Sequence, residues 1–225
     1  MIDLYTANTT NAQRASIAVL ESGLDHRRHH IDLYQGQHRT PDYLGINPNG
    51  TVPAMIDHDG PDGRPITLTQ SVGIVWYLAE KSGRMLPASA HDRVLAHEWG
   101  LFLATDLYPP FAAQYFVTWS GMEHPEEALA IFAVLMNERF ARLDKHLADR
   151  SFMLGESFTL ADVLAYPMCV LAARDFPQVG ALANLRRWLG ALAARPSIAE
   201  AMSWYADSSP ALDKAPEAWI KRLKG

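Results

Sequence analysis

Strand-like segments in this chain stop at Leu68, and every periodic stretch beyond that point has helical spacing. A mixed α/β run followed by helices alone reads as an α/β unit joined to a separate helical one. Ile2–Tyr5 is a short apolar strand candidate, and Asn11–Ser22 follows it as a helix ended by Gly23. Ala15, Ala18 and Val19 lie on one side of that helix and Ile17 and Leu20 on another, the pattern of a helix covered on two sides. His29–Leu33 reads as the second strand, so the opening is a βαβ unit with parallel strands and a right-handed crossover.

Tyr34–Gly50 reads as a polar loop with Gly36, Asn47-Pro48 and Asn49-Gly50 as turn residues. Val52–Ile56 is the third strand, Asp57–Pro65 a hairpin turn, and Ile66–Leu68 the returning antiparallel strand. Ser71–Lys81 closes this part as a helix that buries Val72, Val75, Trp76 and Ala79. The expected fold is therefore a mixed four-stranded sheet with helices in residues 1–82, a linker over 83–90, and an all-helical domain over 91–225. The helices expected there are Arg93–Leu107, Tyr108–Trp119 after a break at Pro109-Pro110, Glu126–Leu147, Leu160–Ala173, Leu185–Ala194 and Ile198–Trp204. Glu138 and Arg142 have i,i+4 spacing within the longest of them. From Asp207 a tail is interrupted by Pro210 and Pro216, with Trp219, Ile220 and Leu223 as its apolar anchors.

Composition narrows the function classes. The formal net charge of −5 gives no overall attraction to nucleic acid or anionic membranes, and Arg27-Arg28-His29-His30 is too short a basic cluster to change that. The opening residues lack a signal-peptide pattern, and no apolar run approaches the ~20 residues of a membrane span. One cysteine, Cys169, excludes an internal disulfide and any Cys-x-x-Cys redox motif. The chain reads as soluble and cytoplasmic. Cys169, mid-helix between Met168 and Val170, reads as an inert buried thiol, and the nine histidines show no metal-ligand spacing.

Three local features carry chemistry. Val52-Pro53 opens a strand, and a proline there either blunts an edge in the trans form or, in the cis form, turns the Val52 backbone outward to pair with an extended peptide. Gln70-Ser71 stands at a strand-to-helix junction, where Ser71 can cap the helix and the first-turn N–H groups can hold an anion. Asn8-Thr9-Thr10-Asn11 is a second cap-like junction. Each is an ordinary cap or edge when taken alone, but all three fall at one end of the expected sheet.

The combination resembles the glutathione transferase family nearly end to end. The most specific segments are Asn47 to Ala54, Leu68 to Ile74, and Ser157-Phe158-Thr159-Leu160-Ala161-Asp162, the last resembling the family's capping box with Thr159 and Asp162. Met1 to Tyr5 and Thr9-Thr10-Asn11 are most similar to the bacterial Nu-class group. The resemblance implies a thioredoxin-like first domain and glutathione as cosubstrate, with no metal or other cofactor. It implies that Thr9 and Asn11 flank the glutathione sulfur as the catalytic pair. Thr51, Val52 and Pro53 would hold the cysteinyl unit, Gln70 and Ser71 the γ-glutamyl end, and Gln37 or His38 the glycine end. The implied second partner is a small apolar electrophile, a peroxide or a disulfide, and the implied assembly is a homodimer. Tyr108, Phe111, Tyr115 and Trp119 line one stretch at helical spacing, either as core or as an apolar pocket for that second substrate between the domains. Tyr5, inside the first strand, reads as packing. In the Nu-class group an arginine from the partner subunit's long helix helps hold glutathione, and this chain has no arginine between Glu126 and Leu135.

Overall fold

The computed structural model describes residues 1–206, so the proline-interrupted tail from Asp207 lies outside the described residues. The chain divides into two units, the first formed by Met1–Leu86 with residues 194–206, the second by Pro87–Ala193.

In the first unit, β1 (Ile2–Thr6) is central in a sheet of order β2-β1-β3-β4. It pairs parallel with β2 (His26–His30) and antiparallel with β3 (Ala54–Asp57), which pairs antiparallel with β4 (Ile66–Leu68). This is the expected mixed four-stranded sheet. β2 begins three residues earlier than its apolar residues indicate. As an edge strand it is defined by backbone pairing to β1, so it keeps Arg27, Arg28 and His30 exposed, while Ile31 and Leu33 follow it into the core.

Helix α1 (Thr10–Ser22) is buried along ten of its thirteen residues because α3 (Ser71–Ser82), β1 and α10 (Pro196–Ser203) all pack on it. That accounts for the two apolar sides seen in its sequence. The expected polar loop over 34–50 contains a helical turn at Gln37–Arg39 and a short helix, α2 (Pro41–Ile46). Its signals are Thr40, which accepts the Tyr43 N–H, and Pro41 at the first helical position. Six residues with a single buried side chain, Tyr43, give too little periodicity to reveal a helix.

Residues 194–206, grouped with the helical domain by sequence, lie against the first unit. Arg195 makes a forked pair with Glu21 at 3.0–3.1 Å, Ser197 bonds the same carboxylate, and Arg28 stacks over Trp204. The Tyr205 hydroxyl bridges Thr6 Oγ1 at 2.5 Å and Ser16 Oγ at 2.6 Å, joining β1 to α1.

The second unit comprises α4 (Ala90–Leu101), α5 (Tyr108–Ser120), α6 (Glu126–His146), α7 (Leu160–Asp175), α8 (Pro177–Gly180) and α9 (Ala183–Ala193). No break separates α4 from α5. A π-helical stretch, Phe102–Leu107, joins them. Pro109 and Pro110 cannot donate to the preceding turn, and the chain widens instead, the Tyr108 N–H reaching back to Leu103. Glu138 pairs with Arg139 rather than with Arg142, which reaches Glu98 at 3.7 Å and covers the rings of Trp99 and Phe102.

Helix α7 is the core of this unit. Twelve of its sixteen residues are buried, Cys169 among them. Its start carries the expected capping box, with Asp162 fully buried and the Thr159 N–H bonded to its Oδ2 at 2.9 Å. No described helix is long and apolar enough to cross a membrane.

Candidate functional site

Strand register brings the three chemical junctions of the first unit together. Tyr5 pairs with Ala54, so Val52-Pro53 lies just beyond the ladder, beside the exit of β1. Leu68 pairs with Met55, so Gln70 and Ser71 leave β4 toward the same end. The Val52-Pro53 peptide bond is cis, the form the sequence left open. One hydrogen bond closes the convergence, from Ser71 Oγ to Asn11 Oδ1 at 3.4 Å, joining the starts of α1 and α3 across sixty residues.

Thr9 is the N-cap of α1. Its backbone is extended, and its Oγ1 accepts the Ala12 N–H at 3.1 Å. That bond uses a lone pair and leaves the hydroxyl proton as a donor. Asn8 and Asn11 flank it. Asn8 Oδ1 accepts Gln13 Nε2 at 2.9 Å, and Asn11 Oδ1 accepts Arg14 Nη1 at 2.8 Å. No acidic residue stands in the first turn of α1 or α3, so both positive helix ends are open to an anion. Ser71 is the first residue of α3 and not its cap. Gln70 occupies the cap position without a side-chain bond, and the Ser71 hydroxyl is turned to Asn11.

The loop before Pro53 is pinned from below. Asn47, fully buried, gives its Nδ2 hydrogens to Thr51 O at 2.6 Å and Thr51 Oγ1 at 3.2 Å, and the Tyr43 hydroxyl also donates to Thr51 O at 2.6 Å. Burial pushes the Tyr43 phenol up to about 12, so it stays protonated as a donor. The Thr51 carbonyl is thus committed to the fold, while Val52 is half-buried ahead of the ladder. Gln37 and His38 lie in the helical turn before α2. Gln37 Oε1 accepts the Asp32 N–H at 2.8 Å. His38 Nδ1 is buried without a hydrogen-bond partner, and burial, then the Arg39 charge, lower its pKa. Tyr5 stacks on His29 at 4.5 Å and meets the Tyr43 ring edge-on, a packing role.

The aromatic stretch belongs to the second unit. Phe111 is fully buried and touches Tyr108, Tyr115 and Phe176. Tyr115 donates to Asp175 at 2.7 Å and packs against Trp119. An open groove of about 580 Å³ is lined by Gln114, Tyr115, Thr118, Leu129, Arg174, Asp175 and Phe176. No group of three or more His, Cys, Asp or Glu side chains placed to hold a metal ion occurs among the described residues.

Arg14, Tyr43 and Tyr205 support the site without any mark in the sequence, and Asn47 is marked there only as part of a turn and of a family-like segment. Asn47 stands beside Pro48, a turn signal that does not reveal a fully buried amide, and the other three carry no local motif.

Residues 10–81 match the model for "Glutathione S-transferase, N-terminal domain" and residues 126–191 that for "Glutathione S-transferase, C-terminal domain". The chain is 28% identical over 203 residues to the disulfide-bond oxidoreductase YfcG of Escherichia coli, covering 90% of this chain and 94% of that one. A glutathione transferase family member from Pseudomonas fluorescens, with two glutathione molecules bound, superposes with a TM-score of 0.81 at 28% identity, covering 89% of this chain and 92% of that one. A glutathione transferase from Pseudomonas putida, with one glutathione disulfide bound per subunit, also gives 0.81, at 26% identity and coverages of 89% and 90%.

Proposed function

Because this chain belongs to the glutathione S-transferase family, we propose that it binds glutathione along the rim beside Val52 and activates its thiol for attack on an apolar electrophile. The observation that carries this reading is the meeting of the α1 and α3 starts at the exit of β1, marked by the Ser71–Asn11 contact. Carboxylate groups of the tripeptide would meet the open N-terminus of α3, with Ser71 and Gln70 on the γ-glutamyl end. The Val52 backbone would pair with the cysteinyl unit by strand addition. Gln37 and His38, in the turn before α2, are assigned to the glycine end.

The thiolate, not the thiol, is the nucleophile. A free thiol titrates near 8.5, and lowering it by about two units takes roughly 2.7 kcal/mol of preference for the anion. A hydrogen bond to a charged group contributes about 1.5–3 kcal/mol. The Thr9 hydroxyl together with the Asn11 amide is therefore sufficient in size, and no general base is required. The proton leaves to solvent, and the sulfur lone pair forms the new bond as the electrophile's leaving group departs.

We assign the chain to the Nu-class type, supported by Thr9 and Asn11 at one junction. A second reading, disulfide reduction, is favoured by neighbours holding two glutathiones or glutathione disulfide. There the thiolate attacks one sulfur of a disulfide and expels the other as a thiolate. A second glutathione then resolves the mixed disulfide and leaves glutathione disulfide. Tyr108, Tyr115 and Trp119 would meet an apolar partner. Val94 and Leu101 on α4, with Ile131 and Val134 on α6, are 57–67% exposed, which supports the proposed homodimer. A cytoplasmic location suits a chain with one buried cysteine and a thiol cosubstrate.

Calorimetry with millimolar glutathione, paired with a thiolate absorbance titration of the complex, tests the reading. Binding heat and a thiol titrating below its free value are expected. Absence of heat overturns the assignment.

A further inference from the structure

Two asparagines flank Thr9, and each has its carbonyl oxygen held by a donor from within α1. Gln13 holds Asn8, and Arg14 holds Asn11 at 2.8 Å. Arg14 is only 2% exposed. A guanidinium is permanently charged and can only donate, so the side-chain end that faces it must be an acceptor. The Asn11 amide is thereby oriented, with its oxygen toward Arg14 and the Ser71 hydroxyl and its NH2 directed elsewhere. The two ends of an amide are nearly the same size but opposite in polarity. One end donates to a thiolate, while the other would turn lone pairs against it.

We propose that Arg14 is a positioning residue for thiol activation, holding the Asn11 carbonyl oxygen so that the Asn11 amide presents N–H, not C=O, to the glutathione sulfur. The inference rests on the reading above that Thr9 and Asn11 flank the sulfur. Arg14 acts through Asn11 and does not touch the substrate. Its location strengthens the effect. A buried charge acts through a medium that screens less than water, so the polarisation of the Asn11 amide by Arg14 is retained at physiological salt. Lysine is no substitute, because it is one atom shorter and lacks the planar fork.

The test uses the full chain with glutathione as probe. The pKa of the bound thiol is read from thiolate absorbance, and the kcat and KM for glutathione from turnover, in wild type, Arg14→Met, Arg14→Lys, Asn11→Ala and the Asn11→Ala/Arg14→Met double variant. Arg14→Met is expected to raise the thiol pKa by about one unit, a roughly threefold loss of thiolate at neutral pH for a thiol lowered by about two units in wild type, with KM for glutathione within about twofold of wild type. Asn11→Ala is expected to match that rise, and the double variant to add nothing to Asn11→Ala, because the two side chains act as one unit. Arg14→Lys is expected to raise the pKa by about half a unit or more.

A wild-type pKa in Arg14→Met overturns the inference, as does a double variant whose shift is the sum of the two singles. If circular dichroism shows Arg14→Met unfolded, Arg14→Lys decides, and a folded lysine variant with the wild-type pH profile overturns the proposal. The two readings fail differently. A wild type that binds glutathione with a lowered thiol pKa, abolished by Thr9→Ala but untouched at Arg14, removes this inference alone. A wild type that binds no glutathione removes both.

Discussion

Replacing Asp162 with alanine should be among the most damaging single changes in the described chain, although this residue touches no substrate. The carboxylate is fully buried at the start of α7 and accepts bonds from Met153 N at 2.8 Å, Thr159 N at 2.9 Å, Trp188 Nε1 at 2.9 Å and Thr159 Oγ1 at 3.3 Å. The Thr159 hydroxyl can rotate to another acceptor, but the three N–H groups cannot. Each stranded buried donor costs about 1–3 kcal/mol, so the gross penalty is roughly 3–9 kcal/mol. Part of it is offset because the buried charge is itself costly. Burial holds the Asp162 pKa up at about 6 despite the bonds from Met153, Thr159 and Trp188. A net loss of about 3–5 kcal/mol remains, in the range for breaking a buried polar network from one side. For a chain of this size that lowers the Tm by roughly 6–20 °C. Thermal and urea unfolding followed by circular dichroism and tryptophan fluorescence measure it, with kcat per folded molecule expected to stay at the wild-type value. Asp162→Asn should be nearly as harmful, since one acceptor oxygen becomes a donor facing N–H groups. Because the folded pKa is raised, the proton-linked part of this stability is fully present below the unfolded carboxyl value near 4 and is lost as pH rises through about 6. The gap between wild type and Asp162→Ala should therefore widen as pH falls from 7 to 5. A loss under about 1 kcal/mol, or an asparagine variant as stable as wild type, would refute this account.

Thr9→Ala removes one charge-assisted bond to the proposed thiolate and should lower kcat about 10–100-fold with glutathione affinity nearly unchanged, as steady-state kinetics and calorimetry will show. Ser71→Ala should act the other way, raising KM for glutathione about tenfold with kcat at saturation largely kept. Asp57 is fully buried, and although burial pushes its carboxyl up, bonds from Lys81 and Tyr77 at 2.6 Å and from the Asp59 N–H at 2.9 Å hold its pKa below the usual range. Its contribution is present above the unfolded value near 4 and lost as pH falls through the folded one, so Asp57→Asn should cost about 1–3 kcal/mol at pH 7 and flatten the acid limb of the stability curve. Tyr205→Phe leaves the Thr6 and Ser16 hydroxyls to bond each other at 3.2 Å and should cost only about 1 kcal/mol in urea unfolding.

The parts of this molecule that its sequence discloses share a physical property: they sit at the ends of elements. Thr9, Pro53, Gln70 and Thr159 each stand where a strand or helix begins, and a beginning constrains residue type locally through caps, missing donors and backbone angles. Asp162 was legible because its reply to Thr159 comes from three residues away. The residues that support the site have no such signature, because their partners are chosen by the tertiary fold. Tyr205 reaches Thr6 across 199 positions, and nothing near residue 205 distinguishes that hydroxyl from one facing water. Chain order alone places segment 194–206 with the helical domain, whereas Glu21, Ser16 and Thr6 hold it in the first unit. The same division applies at Ser71. A serine at a helix start signals a cap, but its hydroxyl also has Asn11 within reach, and that competitor is invisible until α1 and α3 are brought side by side. Arg14 lies between the two cases. Its partner is only three residues away, yet an arginine at the fifth position of a helix is ordinary, and its burial is decided by the elements that pack on α1. A cation only 2% exposed is costly unless it is hydrogen-bonded, and the bond that Arg14 gives to Asn11 also sets which end of that amide faces away from it.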